Sequence, residues 1–387
     1  MITIASLFAG CGGSDLGALG GFKFLGKKFD KHPTKIVYAN DIDQAATETY
    51  RANFGDHISC KSILEVPSSE IPDHDVLMGG FPCQTFSIVG QRKGMSDPRG
   101  QLFNEMARIL IDKQPKAFIG ENVKGLTNIH GGKVLEHILE TFSDAGYNVV
   151  YKILNAADYG VPQKRERVFI IGIRKDFNVF YRFPSKAVKK WVPLKKVLLD
   201  EEKVDPKYHF SKRAIEGLKK ANKAFNKGRA QNINEPCNTI NAHLAKVSLN
   251  GTDPVLSTGK DAYRRFTPLE AARIQSFPDD FKFIGTDLNA YRQIGNAIAP
   301  VMMWNVFNHL VLQLNECEQK SSNITINLNS LLKSKQKNLH QLHKDTGISY
   351  QQLWAIANNK TQAISFDLLE KLCKKLDCDP NDIFSIS

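Results

Sequence analysis

Short, β-rich apolar runs alternate with helical stretches through the first 173 residues. This alternation narrows the fold more than any other feature of the chain. The runs Ile2–Phe8, Lys35–Asn40, Asp75–Gly79, Ala117–Gly120 and Val149–Leu154 read as strands bounded by Gly, Asn or Pro, and Arg167–Ile173 as a further buried strand. Helical pattern falls between them, at Leu102–Lys113 and Lys133–Ala145. Such alternation predicts an α/β domain with a mostly parallel sheet covered by helices. Its ligand crevice then lies beyond the strand ends.

Periodicity fades from Arg174 to Tyr263, and charge takes its place. This stretch holds 19 Lys/Arg against 9 Asp/Glu, so it carries +10 of the chain's formal +12. A basic block in an otherwise balanced chain is the footprint of a polyanion partner, or a solvated surface kept for solubility. Helical pattern returns at Pro268–Gln275 and Ala299–Leu314, and the polar run Glu318–Asn323 breaks it. The expected division is 1–175 and 286–317 for the sheet domain, 176–285 for a small domain, 318–327 for a linker and 328–387 for a helical tail. No apolar run approaches the roughly 18 residues of a membrane span, and nothing at the N-terminus points to export. Cys11, Cys60, Cys83, Cys237, Cys317, Cys373 and Cys378 are odd in number and dispersed. That argues for reduced thiols in a cytoplasm. No Cys/His spacing resembles a metal site.

Four stretches carry chemistry. In Ser6–Gly17, SLFAGCGGSDLG, a strand ends in a glycine-rich turn and a helix follows. Asn40-Asp41 sets a carboxylate at the end of the next strand, where a ribose would lie. Together they suggest a nucleoside-bearing cofactor, although the turn is not the dinucleotide pattern. In Gly79–Ser87, GGFPCQTFS, Pro82 stiffens the loop beside Cys83. That thiol is either a nucleophile or a buried structural cysteine. In Gly120–Gly125, GENVKG, Glu121 is a general acid if its site raises its pKa, or else an acid at a helix N-terminus. In Gln163–Arg167, QKRER, the cations bind phosphates or form a surface ion-pair cluster.

In order and spacing, SLFAGCGG, GGFPCQTFS, GENVKG, QKRER and Tyr291–Pro300 (YRQIGNAIAP) resemble the motifs of DNA (cytosine-5) methyltransferases, over roughly Ile2 to Leu314. The resemblance implies the S-adenosylmethionine-dependent methyltransferase fold, with a target-recognition domain where the basic block falls. It implies that the Cys83 thiolate adds to carbon 6 of a cytosine and that Glu121 protonates ring nitrogen 3. Arg167 would hold the ring oxygen, and Arg165 would support the site and a nearby phosphate. It assigns S-adenosyl-L-methionine to Phe8, Ala9, Gly10, Cys11, Gly12, Gly13, Asp41, Ile42, Pro82, Leu102 and Asn296, and no metal. Ser87, Arg99 and Thr239 would touch DNA. The family usually has Asp where Ser6 stands, often Trp where Ile42 stands, and an Asp where Ser62 aligns. Function then reads as sequence-specific methylation of double-stranded DNA beside a restriction endonuclease of the same specificity. The alternatives are an RNA methyltransferase or a DNA-binding transcriptional regulator.

The tail, Leu328–Ile383, resembles the Cro/phage-repressor-like helix-turn-helix domains, and is expected to be all-α. Gly347 marks the turn, and Ser349, Tyr350, Gln351 and Gln352 open the expected recognition helix. Trp354 and Ile356 are expected in the core. Lys333 to Lys360 holds five lysines against Asp345 alone, a basic face for DNA. The other reading is a small packing or dimerisation module; dimerisation through or on the tail follows from repressor-like binding to paired half-sites.

Overall fold

The computed structural model describes residues 1–82, 102–220, 229–244, 253–259, 262–322, 324–361 and 363–386. It divides into two compact units, Met1–Leu310 and Val311–Ser387.

The first unit is built on a seven-stranded sheet. Its strands are β1 (Ile2–Leu7), β2 (Thr34–Asn40), β3 (Ile58–Ser59), β4 (Val76–Gly79), β5 (Ala117–Val123), β6 (Tyr147–Asn155) and β7 (Glu166–Arg174). Their spatial order is β3-β2-β1-β4-β5-β7-β6. The pairs among β1 to β5 are parallel, and β7 runs antiparallel to both neighbours. Ile4, Ala5, Val76, Leu77, Ala117 and Phe118 are fully buried, which is why the central strands read as continuous apolar runs. Helices α1 (Gly13–Leu19), α2 (Gln44–Phe54), α3 (Leu102–Lys113) and α4 (Lys133–Asp144) connect the strands. Met106, Ile109 and Leu110 of α3, with Ile138 and Phe142 of α4, join Leu77, Phe118 and Ile170 in one core cluster.

Among the described residues, 174 to 263 contain short turns, one helix, α5 (Lys212–Lys220), and brief strands. Cys237–Asn238 pairs in parallel with Gln163–Lys164, so this stretch is sewn directly to the QKRER segment. The chain then enters α6 (Pro268–Ile274), capped by Thr267 and Glu270 in a reciprocal box, followed by α7 (Asp287–Asn296) and α8 (Pro300–Ser322). Arg264 and Glu270, both fully buried, form a two-pronged ion pair at the start of α6. Against the expectation for apolar runs, Asp287–Cys317 is long and apolar enough to cross a membrane. However, 67 % of its most apolar part is buried inside the protein, so that apolarity serves packing.

The second unit holds α9 (Leu328–Ser334), α10 (Leu339–Thr346), α11 (Tyr350–Ala357), α12 (Phe366–Leu376) and α13 (Pro380–Ile383) around Leu328, Leu342, Leu353, Ile356, Leu372 and Ile383. Gly347 ends α10 at φ +72°, a left-handed turn that glycine adopts without strain. Cys373 and Cys378 pack against this core as half-buried residues. Two expectations are corrected. The tail is not all-α: Ile324–Ile326 pairs antiparallel with Phe384–Ile386, because β-branched residues stand at both of its ends. The segment expected as a linker is also regular, helical to Ser322 and then a strand. The backbone stays helical through this polar stretch.

Candidate active site and cofactor crevice

Strand register assembles the site. Leu7 of β1 stands opposite Asn40 of β2 and Gly79 of β4, and Gly79 stands opposite Gly120 of β5. Three strands, β1, β2 and β4, therefore end level, while β5 runs three residues further, to Val123, beside them. The residues that follow, Phe8 to Gly10, Asp41-Ile42 and Gly80 to Pro82, emerge along one edge of the sheet, beside Glu121-Asn122 among the last paired residues of β5. The crevice opens there, where crossovers leave β1 in opposite directions.

At one end of this edge lies an acid–base pair. Glu121 Oε1 sits 3.1 Å from Arg167 Nε, with both side chains nearly buried. Antiparallel pairing of β5 with β7 puts them two positions apart on neighbouring strands. Burial pushes the Glu121 carboxyl above its usual range, opposed by the charges of Arg167 and then Arg165. Burial likewise lowers Arg167, which also donates to the Glu166 carbonyl at 2.8 Å. A side chain on Gly80 would begin 3.5 Å from Glu121 Oε2, so the chain leading to Cys83 passes beside the carboxyl. Asn122 fixes that chain: its buried amide donates to the Phe81 carbonyl at 2.9 Å, and its Oδ1 accepts the Val123 N–H. Phe81 is buried and Pro82 exposed. Cys83, Ser87 and Arg99 lie outside the described residues.

The other end is glycine-lined. Phe8 and Gly10 hold φ +54° and +57°, and a Cβ on Gly10 would meet nothing within 4 Å among the described residues, which leave open space over the turn. Gly12 and Gly13 are required for packing instead: side chains there would strike Phe54 and the Ile298 carbonyl. The Asp41 carboxylate is oriented by the Gly10 N–H at 2.7 Å and the Asp43 N–H at 2.8 Å, and burial raises its pKa. Ile42 beside it is 73 % exposed, an apolar face without cover. Phe8 and Leu102 are half-buried against the core of the sheet domain. Ala9 and Cys11 are buried, and burial pushes the Cys11 thiol up to about 12, where it is inert. Asn296 is exposed at the end of α7.

Two expected contacts read differently in the structure. Arg165 is fully buried and gives hydrogen bonds to three backbone carbonyls: Ile240, Gly295 and Ala297, at 3.0, 2.9 and 3.0 Å. It fastens the middle stretch and the end of α7 to the start of β7, and so supports the site from beneath. The Thr239 hydroxyl donates to the Lys164 carbonyl at 2.8 Å, which makes it part of the same seam. Gln163 and Gln275, both fully buried, join it: Gln163 accepts the Ile240 N–H and donates to Gln275, which donates to Ala297. Gln275 was not evident from the sequence, where a lone Gln in an amphipathic helix looks like surface.

In the tail, the Ser349 hydroxyl caps α11 by accepting the Gln352 N–H at 3.2 Å. Tyr350, Gln351 and Gln352 are exposed on its first turn. Ile356 is buried as expected, but Trp354 is 43 % exposed, with Lys360 Nζ 4.8 Å from its ring centre. The buried face of α11 is already filled by Leu353, Ile356 and Ala357.

A sheet of this order, with a glycine turn after the first strand and an acid after the second, defines an α/β enzyme for a nucleoside-bearing cofactor. The family model of C-5 cytosine-specific DNA methylases matches residues 2–312, and that of the Cro/C1-type HTH DNA-binding domain matches residues 327–387. Type II methyltransferase M.NlaX of Neisseria lactamica is 37 % identical over 305 residues, which cover 77 % of this chain and 92 % of that protein. Type II methyltransferase M.FnuDI of Fusobacterium nucleatum is 36 % identical over 322 residues, 76 % of this chain and 90 % of that one. In fold, the chain is similar to the S. pombe Dnmt2 methyltransferase, with a TM-score of 0.65 at 19 % identity over 81 % of this chain and 100 % of that one. The chain belongs to the C-5 cytosine-specific DNA methylase family: it is a DNA cytosine-5 methyltransferase with a helix-turn-helix domain at its C-terminal end.

Proposed function

We propose that this enzyme methylates cytosine within a defined sequence of double-stranded DNA, with S-adenosylmethionine as donor, as the modifying partner of a restriction endonuclease in a bacterial or phage cytoplasm. The observation that carries this reading is the level ending of β1, β2 and β4 beside the C-terminal part of β5, which sets Glu121 and the approach to Cys83 on one edge with the surface at Gly10 and Ile42. The names of the type II relatives support the restriction–modification context.

The target base must leave the helix, at a cost of a few kcal/mol. Ser87, Arg99 and the basic residues of the recognition domain, 176–285, offset that cost on phosphates. The Cys83 thiolate then adds to carbon 6, and the Glu121 carboxyl gives its proton to ring nitrogen 3, so no charge accumulates on the ring. Arg167 holds the ring oxygen with donors left over from Glu121 and Glu166. The cofactor supplies an electrophilic methyl group at carbon 5. A base removes the carbon 5 proton, and the thiolate leaves carbon 6. Asp41 would take the ribose hydroxyls, Ile42, Pro82 and Leu102 would flank the adenine, and Phe8 to Gly13 and Asn296 would enclose the rest. The residues present fit this group: Gly10 leaves room above the turn, and Ile42 offers an uncovered apolar face.

The helix-turn-helix tail binds a second site upstream of the enzyme's own gene or the nuclease gene, as a dimer on paired half-sites. The catalytic reading is tested by Cys83→Ser. Methyl transfer should vanish while DNA binding persists, and a duplex carrying 5-fluorocytosine should trap a covalent adduct with the unaltered enzyme alone. Normal turnover by the variant rules out attack by this thiol.

A further inference from the structure

The least expected side chain in the tail is Trp354. An indole on a short helix is ordinarily used for packing, yet this one is 43 % exposed while Leu353, Ile356 and Ala357 fill the core side of α11. It follows Tyr350 by four positions and Gln351 by three, so it shares their face one turn further along the helix. Tyr350 is 47 % exposed, and Gln351 and Gln352 are exposed beside it. Lys360 stands over the ring at 4.8 Å, and the stretch from Lys333 to Lys360 holds five lysines against one acid. An exposed aromatic thus shares the face of Tyr350 and Gln351, with a cation over one side of its ring to meet a phosphate.

The chemistry of the face limits what it reads. Glutamine amides pair in two-pronged fashion with adenine. An indole cannot do this, since it has one N–H donor and is otherwise apolar. The apolar feature that base pairs present in the major groove is the C5-methyl group of a pyrimidine. Thymine carries it, and so does 5-methylcytosine, the product of this enzyme.

We propose that Trp354 reads a pyrimidine C5-methyl group in the operator of the tail, so that the tail discriminates methylated from unmethylated pyrimidine at one position. This rests on the reading of the tail as a DNA-binding module, and the test separates the two. Duplexes are selected from a random pool by the full chain without cofactor. They are then sorted by whether a chain ending at Ser322 still holds them. If none is lost on truncation, the tail does not bind DNA, and both readings fall. On a duplex that is lost, each thymine is replaced by deoxyuridine and each cytosine by 5-methylcytosine, one at a time. The expected result is one position where the methyl group strengthens binding by the full chain about fourfold, the worth of one buried methyl. Trp354→Ala should abolish that difference and leave the other positions unchanged. Sensitivity at a thymine means that the tail reads operator sequence, and sensitivity at a cytosine means that it reads the enzyme's own product; either supports the proposal. If truncation loses the duplex but no position responds to the methyl group, or if Trp354→Ala responds as the unaltered chain does, the inference is wrong. The DNA-side substitutions in the unaltered chain keep the test valid should the variant fold poorly.

Discussion

Asp15 carries a fully buried carboxyl beneath the glycine turn. It accepts the hydroxyls of Ser6 at 3.0 Å, Ser14 at 2.9 Å and Tyr50 at 3.0 Å. The family's usual Asp at the position of Ser6 is absent, and here the carboxylate under the turn comes from α1. Burial raises its pKa from 3.8 to about 6 despite these donors. The folded chain therefore holds the proton more tightly than the unfolded chain. Stability is highest below the unfolded value, falls as pH rises through the window between the two, and levels off above the folded value. A shift of this size corresponds to of order 3 kcal/mol. Asp15→Asn should remove that slope. Urea unfolding of both proteins between pH 4 and pH 7 should show the variant gaining on the wild type by that order, and a constant difference would refute the coupling. Asn122 acts on the other end of the site. Without its amide the Phe81 carbonyl loses a buried donor, and the peptide two residues before Cys83 is freed. Asn122→Ala should lower kcat about a hundredfold, the cost of a small misplacement, while KM for DNA changes less than twofold. A fall in binding alone would contradict a positioning role. The sequence offered both residue types but not their partners. Asn122 stands in the motif GENVKG, whereas nothing along the chain marks Asp15.

At the scale of elements, α7 depends on one glycine. A Cβ on Gly295 would lie 2.2 Å from the Asn241 carbonyl carbon and 2.3 Å from the Ala242 nitrogen, both backbone atoms that cannot step aside. Helix and recognition segment touch there because no side chain intervenes, and Arg165 binds carbonyls on both sides of the contact. Gly295→Ala should cost about 1–3 kcal/mol as overpacking and weaken specific DNA binding by shifting residues 241–242. Thermal melts and binding to cognate against random duplex check both effects; a variant unchanged in either measurement would mean that the contact yields. Most elements were legible from periodicity: β1, β2 and β4 to β7 fall within three residues of the sequence reading, and α3 coincides with it. β3 was missed because two residues have no period. The end of α8 has the composition of a linker, because polar residues carry no apolar period by which a helix can be told from a loop.

The whole molecule joins a catalytic unit to a helix-turn-helix unit with its own core. Every residue assigned here to methyl transfer lies before Pro300, so deleting Asn323–Ser387 should leave target methylation within about twofold. Binding upstream of the gene should disappear. Loss of methylation on deletion, with upstream binding retained, would make the tail a buttress of the catalytic unit. Sequence alone determined the α/β class, the reaction and the helix-turn-helix, because periodicity and motif chemistry are local and survive without a fold. Packing alone decided which polar groups are engaged and which side chains face water. Arg165 reaches carbonyls 75, 130 and 132 positions away, and Trp354 is exposed because three neighbours already fill the core side of its helix. Hydrogen-bond partners and burial are properties of distant segments brought together, and no window along the chain contains them.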